Sequence, residues 1–156
     1  MALVRILVDG YSLLHVWQEL APGKPRFSAI AREELINRLR HYYDACGTPI
    51  TVVFDGASSL ETFSPFPSTP EVEIIYSRPG QSADQVIERV AHRLSAYGEV
   101  LVVTDDFAER DTVVSVGGMF SSCLGFIQTV ENALAELDRD LQRLNRRERL
   151  RFQRSR

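Results

Sequence analysis

A chain of 156 residues, 44% hydrophobic and 25% charged, suits one compact domain with a buried core. Its two cysteines, Cys46 and Cys123, offer neither a disulfide framework nor a metal-ligand spacing. No apolar run approaches the ~18 residues of a membrane span, and Met1-Ala2-Leu3-Val4 enters a strand without a leader pattern, so a cytoplasmic protein with no membrane partner is expected.

The net charge of −3 is unevenly spread. From Arg139 onward eight arginines stand against Asp140 and Glu148, a balance of +6 that leaves −9 for the rest. An acidic body with a basic tail suits a metal site joined to a polyanion-binding or partner-binding appendage.

In chain order, Leu3–Val8 reads as a buried parallel strand ending on Asp9. A short helix over Ser12–Leu20 and a Pro/Gly loop at 21–25 follow. Ser28 is a predicted N-cap for a helix to about Cys46, stopped by Gly47. Ile50–Phe54 is a second strand, ending in Asp55-Gly56. The proline-bearing stretch 57–70 is a long loop in which Phe63 and Phe66 could stack on bases or fold back on the core. Val72–Tyr76 is a third strand at an edge. Ser82 caps a helix from Ala83 to about Tyr97 with Asp84 in its first turn. Val100–Val103 is a fourth strand closing on Thr104-Asp105-Asp106, with a helix from Phe107 to about Val116 after it. Met119–Ser121 is a short fifth strand in which Met119 and Phe120 read as core. A last helix runs from Ser122 to about Phe152, with Leu134, Leu137, Leu141 and Leu144 on one face. Alternating strands and helices argue for an α/β fold with a mostly parallel sheet and helices on both faces. The chain divides into a body at 1–128 and a C-terminal helix at 129–156.

Three strands end in acid: Asp9, Asp55 and Asp105-Asp106. Asp84 opens a helix, and Glu88 lies one turn later on the same face. In a doubly wound sheet the carboxyl ends of the strands share one edge, so these groups converge. Carboxylates in one cleft repel, and a hard divalent cation offsets the repulsion. Oxygen-only ligands point to Mg²⁺ or Mn²⁺. A plainer role exists for each: Asp55-Gly56 as a turn, Asp105 as an N-cap, Asp84 as a first-turn acid, Glu88 as a surface acid. Asp9, directly after a buried strand, is the least explained by propensity.

Val8-Asp9-Gly10-Tyr11-Ser12-Leu13-Leu14-His15, Val53-Phe54-Asp55-Gly56, Ser82-Ala83-Asp84-Gln85-Val86-Ile87-Glu88 and Val103-Thr104-Asp105-Asp106 occur in that order. Together they resemble the YacP-like NYN domains of the PIN-like nuclease superfamily, over roughly residues 3 to 145. The resemblance implies a PIN-like three-layer α/β/α sandwich and a metal-dependent endoribonuclease acting on single-stranded RNA, in some members messenger RNA at the ribosome, with no nucleotide cofactor. It implies Asp9, Asp84 and Asp106 as metal-site acids, with Glu88 and Asp55 in support. Asp105 stands where the family's Thr-Ser-Asp pattern has Ser, and is a further ligand or an N-cap. Ser12 stands where the first motif usually has Asn, and a hydroxyl can supply only part of what an amide offers.

Tyr11 could stack on a base or pack in the core. Arg78 could contact RNA phosphate. His15 and His41 read as ordinary helix residues. Arg146, Arg147 and Arg149 lie in the Arg-rich end and could neutralise phosphates of RNA or a ribosome. A rival reading is an RNA- or ribosome-binding module that keeps the fold without catalysis. A phosphoacceptor receiver domain would need a lysine after the fifth strand, and the one lysine is Lys24.

Overall fold

In a computed structural model of the chain, residues 3–56 and 68–154 are described. Phe63 and Phe66 lie outside them. Five parallel strands, β1 (Leu3–Asp9), β2 (Ile50–Phe54), β3 (Val72–Tyr76), β4 (Glu99–Val103) and β5 (Met119–Ser121), form one sheet in the order β3-β2-β1-β4-β5. The helices are α1 (Gly10–Val16), α2 (Ala29–Cys46), α3 (Ala83–Leu94), α4 (Phe107–Ser115) and α5 (Cys123–Arg154), with a 3-10 turn at Gln18–Leu20.

The period-2 alternation of the strands builds two cores. Ile6, Val8, Ile50, Val52 and Phe54 face one way and pack with Leu13 and Leu14 of α1, Trp17 just after it, Leu35 and Leu39 of α2, and Phe126, Ile127 and Val130 of α5. Leu7, Val53, Val100 and Val102 face the other way against Ala83, Val86, Ile87 and Ala91 of α3 and Val113 of α4. Both faces of the central strands are therefore covered, and their near-continuous apolar runs follow from that. The result is the expected three-layer α/β/α sandwich.

The strand order places the site. From β1 the chain steps through β2 to β3 on one side; α3 then carries it back across to β4 and β5 on the other. The reversal lies between β1 and β4, where doubly wound sheets open a crevice beyond their carboxyl ends. Asp9 ends β1 and Thr104 follows β4 at that crevice. No spare residue separates β1 from α1: the helix begins at Gly10, where a Cβ would lie 2.4 Å from the Phe54 ring.

Local expectations hold at most boundaries and fail at four places. The helix expected over Ser12–Leu20 is instead α1 at Gly10–Val16 followed by the separate 3-10 turn at Gln18–Leu20. Helix α3 ends at Leu94, short of Tyr97, which is exposed. Met119 is 45% exposed, and Phe120 is half-buried under the Arg110 guanidinium at 5.5 Å. A three-residue edge strand has a core on one flank only, so these side chains are not enclosed. Helix α5 is buried as far as Val130 and half-buried at Leu134 and Leu137, but Leu141 and Leu144 are about half exposed. The apolar stripe outruns the body it packs on.

Candidate metal centre

Asp9 is both the last residue of β1 and the N-cap of α1. Its Oδ1 accepts from the Ser12 amide at 3.3 Å, and its Oδ2 accepts from Thr104 Oγ1 at 3.4 Å. Thr104 is wholly buried, and its hydroxyl oxygen also accepts from the Asp106 amide at 3.2 Å. One hydroxyl thus ties the end of β1 to the loop after β4. Asp106 caps α4 through the Ala108 amide at 3.0 Å. Asp84 stands in the first turn of α3, fixed by a capping box between Ser82 and Gln85.

The fourth acid of the cluster is Glu109, in the first turn of α4 and 2% exposed. One carboxylate oxygen each of Asp84, Asp106 and Glu109 lies within 4.8 Å of the others. Burial is the first cause that raises Glu109, to about 10; the hydrogen bond and charge of Asp84 come next, then the charges of Glu88 and Asp9. Neither Glu109 oxygen receives a hydrogen bond from a donor group, and the neighbouring Asp84 favours the proton-bound form of its carboxyl. Asp9 is pushed up to about 6, chiefly by burial, with Asp84 and Asp106 adding to it and the Ser12 and Thr104 hydrogen bonds opposing it. Among the described residues no Lys or Arg forms an ion pair with these four acids. The cluster is a negative site whose charge no described basic residue pairs with.

The donor set fits a hard divalent cation. All the donors are carboxylate oxygens, the class that suits Mg²⁺ or Mn²⁺. Three carboxylate oxygens within 4.8 Å of one another are near enough for a single ion to draw on all three.

The remaining expected site residues are placed as follows. Glu88 is half-buried, one turn after Asp84, and its charge reaches Glu109. Asp55 is half-buried at the end of β2 and accepts from Ser77 Oγ at 3.3 Å, toward the β3 edge. Asp105 does not join the carboxylate group: its Oδ1 accepts from the Cys123 amide at 2.9 Å, at the start of α5. Ser12 braces the site, since its Oγ accepts from the Asp105 amide at 3.4 Å while its own amide serves Asp9. Tyr11 is half-buried between Phe27 and Phe54, with ring centroids at 5.0 and 5.2 Å. Arg78 is exposed beyond β3. Arg146, Arg147 and Arg149 are exposed far along α5. His15 Nδ1 accepts from the Arg26 guanidinium at 3.0 Å on the surface.

Glu109 was the residue that sequence reasoning missed. A signal existed: Asp106-Phe107-Ala108-Glu109 sets two acids three positions apart at a helix start. That spacing invites a capping-box reading, in which the second acid takes the N-cap amide. Here Thr104 takes that amide, and Glu109 turns inward to Asp84.

The chain is similar to known proteins over most of its length. The model of the YacP-like NYN domain matches residues 6–155. Uncharacterized protein YacP of Bacillus subtilis (strain 168) is 26% identical over 140 residues, 89% of this chain and 82% of that protein. The crystal structure of Rae1 (YacP) from Bacillus subtilis superposes with a TM-score of 0.76 at 24% identity, covering 96% of this chain and 85% of that one. Its W164L mutant gives 0.72 at 25% identity, covering 90% and 82%. With a nuclease-like fold, a matching family model over nearly its whole length and an acidic group able to hold a metal, the chain belongs to the YacP-like NYN domain family.

Proposed function

We propose that the chain is a metal-dependent endoribonuclease that cleaves single-stranded RNA. The observation that carries this reading is the convergence of Asp9, Asp84, Asp106 and Glu109 with no basic side chain among the described residues paired to them. In this reading Asp84, Asp106 and Glu109 hold Mg²⁺ or Mn²⁺, Asp9 completes the site, and Glu88 and Asp55 support it. A bound ion of this class acidifies water and neutralises charge building on a phosphoryl oxygen.

The chain's own residues orient that site. Thr104 and the Ser12 amide leave each Asp9 oxygen aimed by one donor. The cap of α4 fixes Asp106, and the cap of α3 fixes Asp84. Glu109 would give up its proton to a cation held there, whose charge would offset the burial and the neighbouring acids that keep the proton in place. Water on the open side, where Asp106 is exposed, has access to the cluster. Messenger RNA as the substrate, a ribosome as a partner and a cytoplasmic setting belong to the same proposal. No helix among the described residues is long and apolar enough to cross a membrane.

The test is incubation of single-stranded RNA with Mn²⁺, with excess chelator, and with an Asp9→Asn variant. Cleavage by the parent protein in Mn²⁺ is expected to fall by at least about 100-fold in the variant and to stop in chelator. Cleavage that persists in either arm, or is absent from the parent, overturns the nuclease reading. Salt-sensitive RNA binding without cleavage would instead favour a binding module on the same fold.

A further inference from the structure

Helix α3 divides two surfaces of opposite charge. Successive helix positions turn by about 100°, so Asp84 and Glu88 occupy one flank and Arg89 and Arg93 the other, with Val86, Ile87 and Ala91 on the buried side between them. The arginine flank borders β3, and together they form a cleft of about 370 Å³. Ile75 and Tyr76 of β3 and Val86 and Val90 of α3 give it an apolar floor, and Arg78, Arg89 and Arg93 line it. All three arginines are exposed, and none forms an ion pair with a described carboxylate. With its amide turned so that oxygen faces Arg89, Gln81 accepts from both guanidinium nitrogens at 3.2 and 2.8 Å. That partner holds the guanidinium without cancelling its charge.

We propose that this cleft binds the sugar–phosphate backbone of a single-stranded RNA whose scissile phosphate lies at the carboxylate cluster. The inference extends the nuclease reading, but its measurement does not depend on cleavage. A cluster of acids with no basic partner among the described residues repels a polyanion, so an RNA strand needs cations close by. Arg78 stands beyond β3 on the sheet edge that carries Asp9, and only six positions before Asp84. A strand leaving the cluster over the start of α3 therefore meets Arg78 first, then Arg89 and Arg93 about 6 Å apart along the helix axis. Charges spaced in this way match successive phosphates rather than one compact anion. The apolar floor accepts ribose and base faces. The volume is on the scale of a drug-sized ligand, enough for a nucleotide or two of one strand and not for a duplex.

The experiment measures binding of labelled single-stranded RNA in chelator, across a range of salt, for the parent protein, Arg89→Ala/Arg93→Ala, Arg89→Lys/Arg93→Lys and Asp9→Asn. Two lost phosphate contacts lower the slope of log affinity against log salt by about 1.4. The double alanine variant is expected to show that loss and a roughly tenfold weaker affinity at low salt. The double lysine variant keeps the parent slope, and Asp9→Asn binds at least as well as the parent. An alanine variant that matches the parent in affinity and slope overturns the proposal, as does a lysine variant that loses the slope. All four proteins are compared by circular dichroism, and because Arg89 and Arg93 are exposed their native spectra are expected to coincide. If the parent fails to cleave RNA yet the slope falls as expected, the nuclease reading fails and the cleft stands. If cleavage holds and the slope does not move, the reverse is true.

Discussion

Glu109 and Asp9 are acids whose setting favours the proton. For Glu109 the proton-bound form is preferred in the folded state up to about 10, against 4.5 when exposed; for Asp9 the corresponding values are about 6 and 3.8. Between those limits the folded chain holds protons that the unfolded chain has lost, so metal-free stability falls as pH rises. Thermal unfolding in chelator is expected to give a melting temperature that declines steadily from about pH 5 to pH 9. Glu109→Gln, which keeps the neutral shape, flattens most of that decline and raises the metal-free melting temperature at pH 8. A parent protein whose melting temperature rises over this range would contradict the assignment. The sequence showed three of the four acids, since each ends a strand or opens a helix at the shared edge. Glu109 was hidden because a first-turn acid three residues after a cap has an ordinary explanation, and only the position of Thr104 removes it.

Two element boundaries carry the geometry. Helix α1 begins immediately after Asp9, and the absent Cβ of Gly10 lets the Phe54 ring fill the corner. Gly10→Ala forces that ring aside and is expected to cost about 1–3 kcal/mol, read as a lower urea midpoint; an unchanged midpoint would show that the corner yields freely. At α3 the Ser82–Gln85 capping box sets the turn that presents Asp84. Ser82→Ala is expected to cost about 1 kcal/mol and to weaken Mn²⁺ binding, whereas a capping role without influence on the site would leave binding intact. Boundaries of this kind were legible, because Ser28, Gly47 and Ser82 announce themselves chemically. The exposure of Met119 was not, since it depends on β5 having no strand beyond it in the sheet.

Over the whole molecule, charge and packing separate along α5. Its first part, to Val130, is core, and from Asp138 onward every described side chain is exposed. Heptad-like spacing predicted an apolar face without showing where the body beneath it ends; the division at residue 129 falls inside one helix whose packing continues through Val130 and, half-buried, to Leu137. Removing residues from Arg139 onward is expected to shift the melting temperature by less than about 2 °C, because no buried side chain is lost. A collapse of the fold would show that the arm supports the body. The same arm concentrates a charge of +6 against −9 elsewhere, and Arg146, Arg147 and Arg149 have no ion-pair partner among the described residues. Replacing the three with alanine is expected to lower the salt slope of binding to long RNA by about 2, with a short oligonucleotide confined to the carboxylate cluster unaffected.

All of these scales meet in one claim, that the carboxylates at the β1–β4 crevice form a cation site. Calorimetric titration of Mn²⁺ into the metal-free protein, repeated in buffers of different ionisation enthalpy, tests it directly. Binding to the parent protein is expected with net proton release, supplied mainly by Glu109, and both the binding and the release are expected to be lost in Asp84→Asn/Glu109→Gln. An unaltered isotherm in that variant, or no binding to the parent, would contradict the account.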